Sequence, residues 1–272
     1  MKKIISFLIV VLLLFVSRNI YASNKTEKKG FYVSNEFKCE CECNTDLYTS
    51  TNKGSLSGWY GIYSYYDVNE DELYFMELSW VYSSPNSKYD IKYISQDINT
   101  SFEHDNKSIA DYAYNNINLY SFSPVVENGS YATSNSIAFE IGNKGIGISF
   151  GKGTTMSNSY RKLTTYSTNR YCNTHIGYNF EKVTDLSKSQ NVLLAYKILS
   201  IPGASLCDDL KINVEFKYGT SFGIAGATSL QANCSFVYNY VPVEQSGGGK
   251  NREINPVNPN PYIADGEGKQ SD

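Results

Sequence analysis

The 272-residue sequence is poor in the residue types that mark several common functions. It has only 2 histidines and 2 tryptophans, and its 24 Lys and Arg residues do not outnumber its 27 Asp and Glu residues. Two histidines provide few side chains for acid–base catalysis or for metal coordination. A net charge of −3 argues against nucleic acid as a partner, because phosphate binding needs a concentrated basic face.

Motifs for catalysis or ion binding are also scarce. Residues 147–154 resemble a phosphate-binding loop, but the spacing of their glycines and lysine is wrong. Residues 67–72 begin like a calcium loop and lack the glycine expected at its sixth position. His175 follows Cys172 by three residues, which suggests a Cys–His pair, yet a disulfide-bonded cysteine is no nucleophile. We predict a protein that is not an enzyme, with no catalytic residue, metal site or cofactor.

The sequence has one long apolar run, at its start. Residues 4–16 are apolar apart from Ser6, follow two lysines and precede Ala22, which is typical of a secretory signal. The run is shorter than the roughly 18 residues that a membrane-spanning helix needs, although an uncleaved anchor is an alternative. Removing a signal peptide of residues 1–22 would change the net charge from −3 to −6, because the segment carries three basic residues.

Six cysteines are present in a chain that is predicted to be exported, so disulfide formation is their expected fate. Three alternate with glutamates near the start and three are scattered, and the candidates are Cys39, Cys41, Cys43, Cys172, Cys207 and Cys234. We expect members of the early cluster to pair with the later three, but the sequence does not choose the connectivity. A soft-metal site is the alternative, although Cys-x-Cys-x-Cys is not a usual zinc spacing.

Tyrosine is abundant, at 24 residues, and favours strands whose faces are partly exposed to solvent. Three hairpins are predicted. Residues 59–68, with aromatics on both faces, return through a polar turn to the alternating residues 73–82, and residues 212–222 and 230–240 both alternate. Residues 137–141 and 146–150 flank a glycine-containing turn at 142–145, which is a hairpin signal. Further strands are predicted at 163–171, 174–180 and 192–201. The fold class is therefore all-β, an antiparallel sandwich or barrel of about ten to twelve strands, stapled by disulfides.

Other segments lack this alternation. Residues 51–58, 96–108 and 151–161 are polar and are predicted to be loops, while residues 109–122 fit a helix or a strand and favour a strand. The predicted organisation is a signal peptide at 1–22, a solvated leader at 23–30, a β-rich domain at 31–243, and a flexible Gly/Pro/Asn tail at 244–272.

These features favour an exported, non-catalytic binding protein at the cell surface or outside the cell, of an adhesin-like or surface-antigen type. Its expected partner is a protein or a glycan at a surface. One alternative is an outer-membrane β-barrel protein, and only this alternative makes a membrane the partner. A third is a secreted toxin or hydrolase whose site residues are scattered. The chain carries no diagnostic motif of a known family.

Overall fold

The computed structural model describes residues 25–124, 130–134, 136–142, 145–151, 153–157, 162–168, 172–179, 192–223 and 227–240. Their strands are, in chain order, β1 Lys25–Lys28, β2 Phe31–Ser34, β3 Lys38–Glu42, β4 Leu47–Thr51, β5 Gly54–Asp67, β6 Glu72–Pro85, β7 Ile91–Glu103, β8 Asn118–Ser123, β9 Ser130–Ser134, β10 Ile137–Gly142, β11 Gly145–Phe150, β12 Gly153–Ser157, β13 Lys162–Thr168, β14 Asn173–Asn179, β15 Val192–Pro202, β16 Leu210–Phe222 and β17 Ala227–Tyr238. One helix, α1, spans Lys107–Asn116, and a short 3-10 turn spans Ala204–Leu206. The predicted signal peptide and tail lie outside the described residues.

The all-β prediction is confirmed, and so are the three predicted hairpins. They are β5–β6, β10–β11 and β16–β17, each paired in antiparallel register. The described residues contain seventeen strands rather than ten to twelve. The excess comes mainly from short strands, such as β1 and β4, whose four or five residues are too few to show a clear alternation.

The chain divides into two compact units. The first comprises Met1–Phe37 and Ser134–Gly153, and the second comprises Lys38–Thr133 and Thr154–Asp272. A four-stranded sheet of order β1-β2-β10-β11 forms the described part of the first unit. Its strand β1 lies in the predicted leader and pairs along its whole length with β2, and its side chains are half-buried or exposed.

The second unit is built on two sheets that face each other. One has the order β3-β5-β6-β15-β8, with β4 also paired to β5, and the other has the order β13-β14-β7-β16-β17. Their inner faces interlock through aromatic side chains, for example Tyr60 on Phe216 at 4.9 Å and Phe75 on Phe102 at 6.4 Å between ring centroids. Alternate residues of long strands such as β16 are buried, which is the pattern of a sandwich.

Polar side chains also lie inside this sandwich, several of them on strands β6 and β7. Ser79 donates a hydrogen bond to Gln96 of β7, whose own amide donates to the Leu193 carbonyl at 2.9 Å. Nearer the end of β6, Ser83 and Thr220 share a hydrogen bond of 2.7 Å. Each of these bonds joins one sheet to the other, which compensates for taking the groups out of water.

Two charged side chains complete this buried set. Lys197 of β15 lies opposite Glu77 of β6, with its Nζ 2.7 Å from a carboxylate oxygen, and both side chains are at most 1% exposed. Lys197 also donates to Thr100 at 3.0 Å, and Thr100 donates to the second carboxylate oxygen of Glu77. The Lys197 ammonium and the Glu77 carboxylate therefore contact each other, and both also bond to Thr100 of β7.

The loop prediction for residues 96–108 is wrong over most of its length. Strand β7 runs to Glu103. Its inner face carries Gln96 and Thr100, which are buried and form the hydrogen bonds between the two sheets described above. The strand prediction for 109–122 is wrong in its first part, because helix α1 begins after Asn106. The Asn106 side chain caps it by accepting a hydrogen bond from the Ser108 backbone at 3.1 Å. The predicted loops at 51–58 and 151–161 likewise contain the start of β5 and all of β12.

We expect Lys197→Met to destabilise the protein by about 3–5 kcal/mol, because the substitution leaves the Glu77 carboxylate buried without its charge partner. The double variant Lys197→Met/Glu77→Leu should recover most of this loss, since it removes both charges. Urea unfolding measures the effect. The control is Lys211→Met, which breaks a solvent-exposed pair with Glu103 and should cost about 1 kcal/mol or less. Equal losses for Lys197→Met and Lys211→Met would contradict the role of the buried pair.

Candidate functional site: an amphipathic hairpin

The hairpin β10–β11 separates its side chains into two chemically distinct faces. In register, Ile137 lies opposite Phe150, Phe139 opposite Ile148, and Ile141 opposite Ile146, so one face is entirely apolar. The intervening pairs place small or polar residues on the second face, namely Ala138 with Ser149, Glu140 with Gly147, and Gly142 with Gly145. The sequence predicts this hairpin from its turn. The separation of its faces is equally legible in the alternation, but the sequence interpretation missed it.

The apolar face is only partly sheltered from water. Phe139 is fully buried and Ile146 nearly so, and the Phe139 ring stacks on Phe31 of β2 at 6.5 Å. Towards the other end of β11 the face opens, since Ile148 is half-buried and Phe150 is 55% exposed. The part of the apolar face around Phe150 is therefore exposed to solvent.

Gly147 on the second face is not required by packing. A methyl group at Gly147 would lie 3.8 Å from its nearest neighbour, the Glu140 carbonyl oxygen, which is an ordinary contact. Gly147 also has no positive φ angle, unlike Gly145. By contrast, a methyl group at Gly58 of β5 would lie 2.7 Å from the Tyr218 ring. A glycine in a strand costs about 0.5–1 kcal/mol relative to alanine, so Gly147 weakens the hairpin without a steric reason.

The described contact between the hairpin and strand β2 is short. The parallel register of β2 with β10 comprises three residue pairs, Phe31 to Val33 with Ile137 to Phe139. Six pairs join β10 to β11. Strand β11 is the last strand of the four-stranded sheet. Separating the hairpin from β2 therefore breaks a shorter ladder than the one that holds its two arms together.

The predicted disulfide residues fall into two groups. Cys41 of β3 and Cys234 of β17 are bonded, which joins the two sheets of the sandwich. The remaining four, Cys39, Cys43, Cys172 and Cys207, are not bonded to sulfur, and their pairing stays a prediction. Burial raises the pKa of Cys43, Cys172 and Cys207 to about 11, so these thiols are protonated at neutral pH.

The residues considered for catalysis are held in structural contacts. Cys172 is buried, and its protonated thiol is a poor nucleophile. His175 is bonded instead to Asp97, at 2.6 Å from its Nδ1, and to the Tyr93 hydroxyl, at 2.8 Å from its Nε2. Gly-x-Ser-x-Gly also occurs twice, around Ser149 and Ser221, but both serines lie within strands, whereas a nucleophile elbow is a strand-to-helix turn.

No group of three or more His, Cys, Asp or Glu side chains in the described ranges could hold a metal ion. No helix within these ranges is long and apolar enough to cross a membrane.

No protein-family model matches the chain, and no curated protein matches it. Several solved structures are similar over much of its length. The Clostridium perfringens NetB toxin in the membrane inserted form is 13% identical, with 73% of this chain and 99% of the toxin covered and a TM-score of 0.31. Clostridium perfringens delta-toxin is 8% identical, with 79% and 99% covered and a TM-score of 0.36. ACE19, the collagen-binding subdomain of the Enterococcus faecalis surface protein ACE, is 8% identical, with 61% and 88% covered and a TM-score of 0.29. At these TM-scores no function is carried over to this chain.

We expect Gly147→Ala to stabilise the hairpin by roughly 0.4–1 kcal/mol, because the methyl group meets no obstacle and restricts the unfolded chain. Hydrogen exchange of the β10 and β11 amides should slow accordingly. Gly58→Ala serves as the matched comparison and should destabilise the protein by about 1–3 kcal/mol, since its methyl group collides with a buried ring. Destabilisation by Gly147→Ala would show that the glycine is needed for the resting fold.

Proposed function

We propose that this chain is an exported, non-catalytic protein that acts on membranes by inserting the β10–β11 hairpin, as a secreted toxin would. The observation that carries the proposal is the complete separation of apolar from small and polar residues on the two faces of this hairpin. A strand pair with one apolar face fits the boundary between lipid and a polar interior.

A hairpin with one wet face is common in ordinary antiparallel sheets, so the alternation needs further support. Two features supply it. Gly147 has no packing role in the resting fold, and Phe150 leaves an apolar ring more than half exposed at the end of the face. Lipid would complete the burial of this face, and fully burying one Ile or Phe side chain is worth about 1.5–3 kcal/mol.

The length of the segment is also adequate. Strands β9 and β12 pair with each other directly before and after the hairpin in the chain. With them, the described strand residues number eleven before the turn, at 130–134 and 137–142, and eleven after it, at 145–150 and 153–157. A strand that crosses a bilayer at a tilt needs about 9–11 residues, a number that each side reaches.

One hairpin cannot act alone in lipid. Its two outer edges would each present unpaired backbone N–H and C=O groups, and each such group costs several kcal/mol where no water is available. Hairpins from several copies, paired edge to edge into a closed ring, satisfy all of these groups. The proposal therefore requires self-association, and the membrane activity should rise more steeply than in proportion to protein concentration.

The first test uses neighbouring residues that are both exposed in the resting fold but lie on opposite faces. We expect Phe150→Lys to lower dye release from neutral phosphatidylcholine vesicles at least about ten-fold, because a lysine facing lipid costs roughly 2–4 kcal/mol. Ser149→Lys adds the same charge one position away, on the face turned from lipid, and should leave release nearly unchanged. Equal effects of the two substitutions, or no release by the unaltered protein, would refute membrane insertion by this hairpin.

A second test holds the hairpin in place. Tyr32 and Ala138 are partners across β2 and β10, and strands about 4.8 Å apart lie within the reach of a disulfide. The oxidised variant Tyr32→Cys/Ala138→Cys should release no dye, and reduction should restore release. The control Glu27→Cys/Tyr32→Cys ties β1 to β2 and leaves the hairpin untethered, so it should release dye in both states. Full release by the cross-linked hairpin would mean that it does not leave β2.

The prediction of an adhesin-like surface-binding protein and the outer-membrane alternative are not tested by these features and stay predictions. Location outside the producing cell is likewise part of the proposal.

A further inference from the structure

The outward face of the five-stranded sheet carries an unbroken polar row. Asn173, Asn99, Glu215 and Asn233 lie directly opposite one another across β14, β7, β16 and β17. The next row on the same face is Ser101, Asn213 and Ser235, which also face one another in register. All belong to the second unit, whereas β10 and β11 belong to the first.

These rows surround a surface hollow of about 430 Å³, which we call the amide hollow. The lining residues used here are Asn99, Ser101, Asn213, Glu215, Asn233 and Ser235. A volume of this size lies within the range of roughly 300–1,000 Å³ that is usual for small-molecule sites.

The carboxylate at the centre of the hollow is held in place before any ligand arrives. Asn99 donates to one oxygen of Glu215 at 3.1 Å, and Gln231 donates to the other. The Lys217 ammonium lies 2.7 Å from Glu215 and balances its charge. Three neighbours thus fix the carboxylate, which reduces the entropy that binding would otherwise lose.

Asn213 has hydrogen-bonding capacity to spare. Its side-chain oxygen accepts a hydrogen bond from Ser235 at 2.6 Å, while its side-chain nitrogen is shielded from solvent and has no partner. A buried donor without a partner destabilises the fold that contains it. The hollow is therefore polar, partly preorganised and incompletely satisfied.

The charge balance decides which class of ligand fits. A polar outer face is ordinary for an antiparallel sheet, but here the one acid that lines the hollow, Glu215, is paired with Lys217. Paired charges attract neither phosphates nor free cations strongly. Amides and hydroxyls offer both donors and acceptors, which matches sugar hydroxyl groups, since each of these is also a donor and an acceptor.

We propose that the amide hollow binds a neutral glycan, with Asn99, Glu215 and Asn233 contacting its hydroxyl groups. The glycan would lie across β7, β16 and β17, whose register brings these three side chains together. This site goes beyond the membrane activity and does not depend on it.

The experiment is a saturation-transfer NMR titration of the purified full-length protein with neutral oligosaccharides of glucose, galactose and N-acetylglucosamine. We expect at least one to bind, and Asn99→Ala to weaken it about ten-fold, the effect of losing roughly 1.4 kcal/mol of hydrogen bonding. The matched control is Ser229→Ala, an exposed residue of β17 that does not line the hollow, and it should leave affinity unchanged. Unchanged thermal unfolding of both variants establishes that they are folded.

Three outcomes would overturn the glycan site. They are no saturation by any neutral oligosaccharide, equal affinities of Asn99→Ala and the unaltered protein, or binding of an extended peptide or a sulfated glycan instead. Dye release from vesicles without glycan should be the same for Asn99→Ala as for the unaltered protein. A failure of glycan binding with normal dye release thus disproves this site alone, and the reverse result disproves only the hairpin proposal.

Discussion

A buried ion pair between two neighbouring strands sets the arrangement of the sandwich. Glu77 and Lys197 lie opposite each other in register and are bridged to the second sheet through Thr100. A slip of either strand by one residue would turn one charge outward and leave the other buried alone, which costs several kcal/mol. Apolar contacts alone tolerate such rearrangements more readily, so the charges select one alignment of β6, β7 and β15.

The buried polar groups also help to explain which strands the sequence predicts correctly and which it does not. The hairpin β16–β17 is predictable because apolar and polar residues alternate in both strands, and β5–β6 because two aromatic-rich runs flank a short polar turn. Strand β7 is not, because Gln96 and Thr100 occupy inner positions that apolar residues usually fill. Their partners Ser79 and Glu77 come from a different strand, so their burial becomes intelligible only once β6 faces β7.

The hairpin β10–β11 and the amide hollow also differ in how far the sequence predicts them. The turn of the β10–β11 hairpin and the chemistry of its faces are both present in the local sequence, so this candidate site is readable without coordinates. That Gly147 is sterically unnecessary is not, since it depends on the space around the glycine. The amide hollow cannot be predicted from the sequence, because Asn99, Glu215 and Asn233 come from three strands and only the pairing register brings them together.

The disulfide between Cys41 and Cys234 has a further consequence for how the chain responds to proteolysis. The two cysteines are 193 positions apart, so nearly all of the described chain, including β10 and β11, lies within one covalent ring. A protease that cuts the backbone once anywhere in this ring opens it without freeing a fragment. Two pieces would part only where a reductant is also present, so digestion in an oxidising fluid leaves a nicked but undivided molecule.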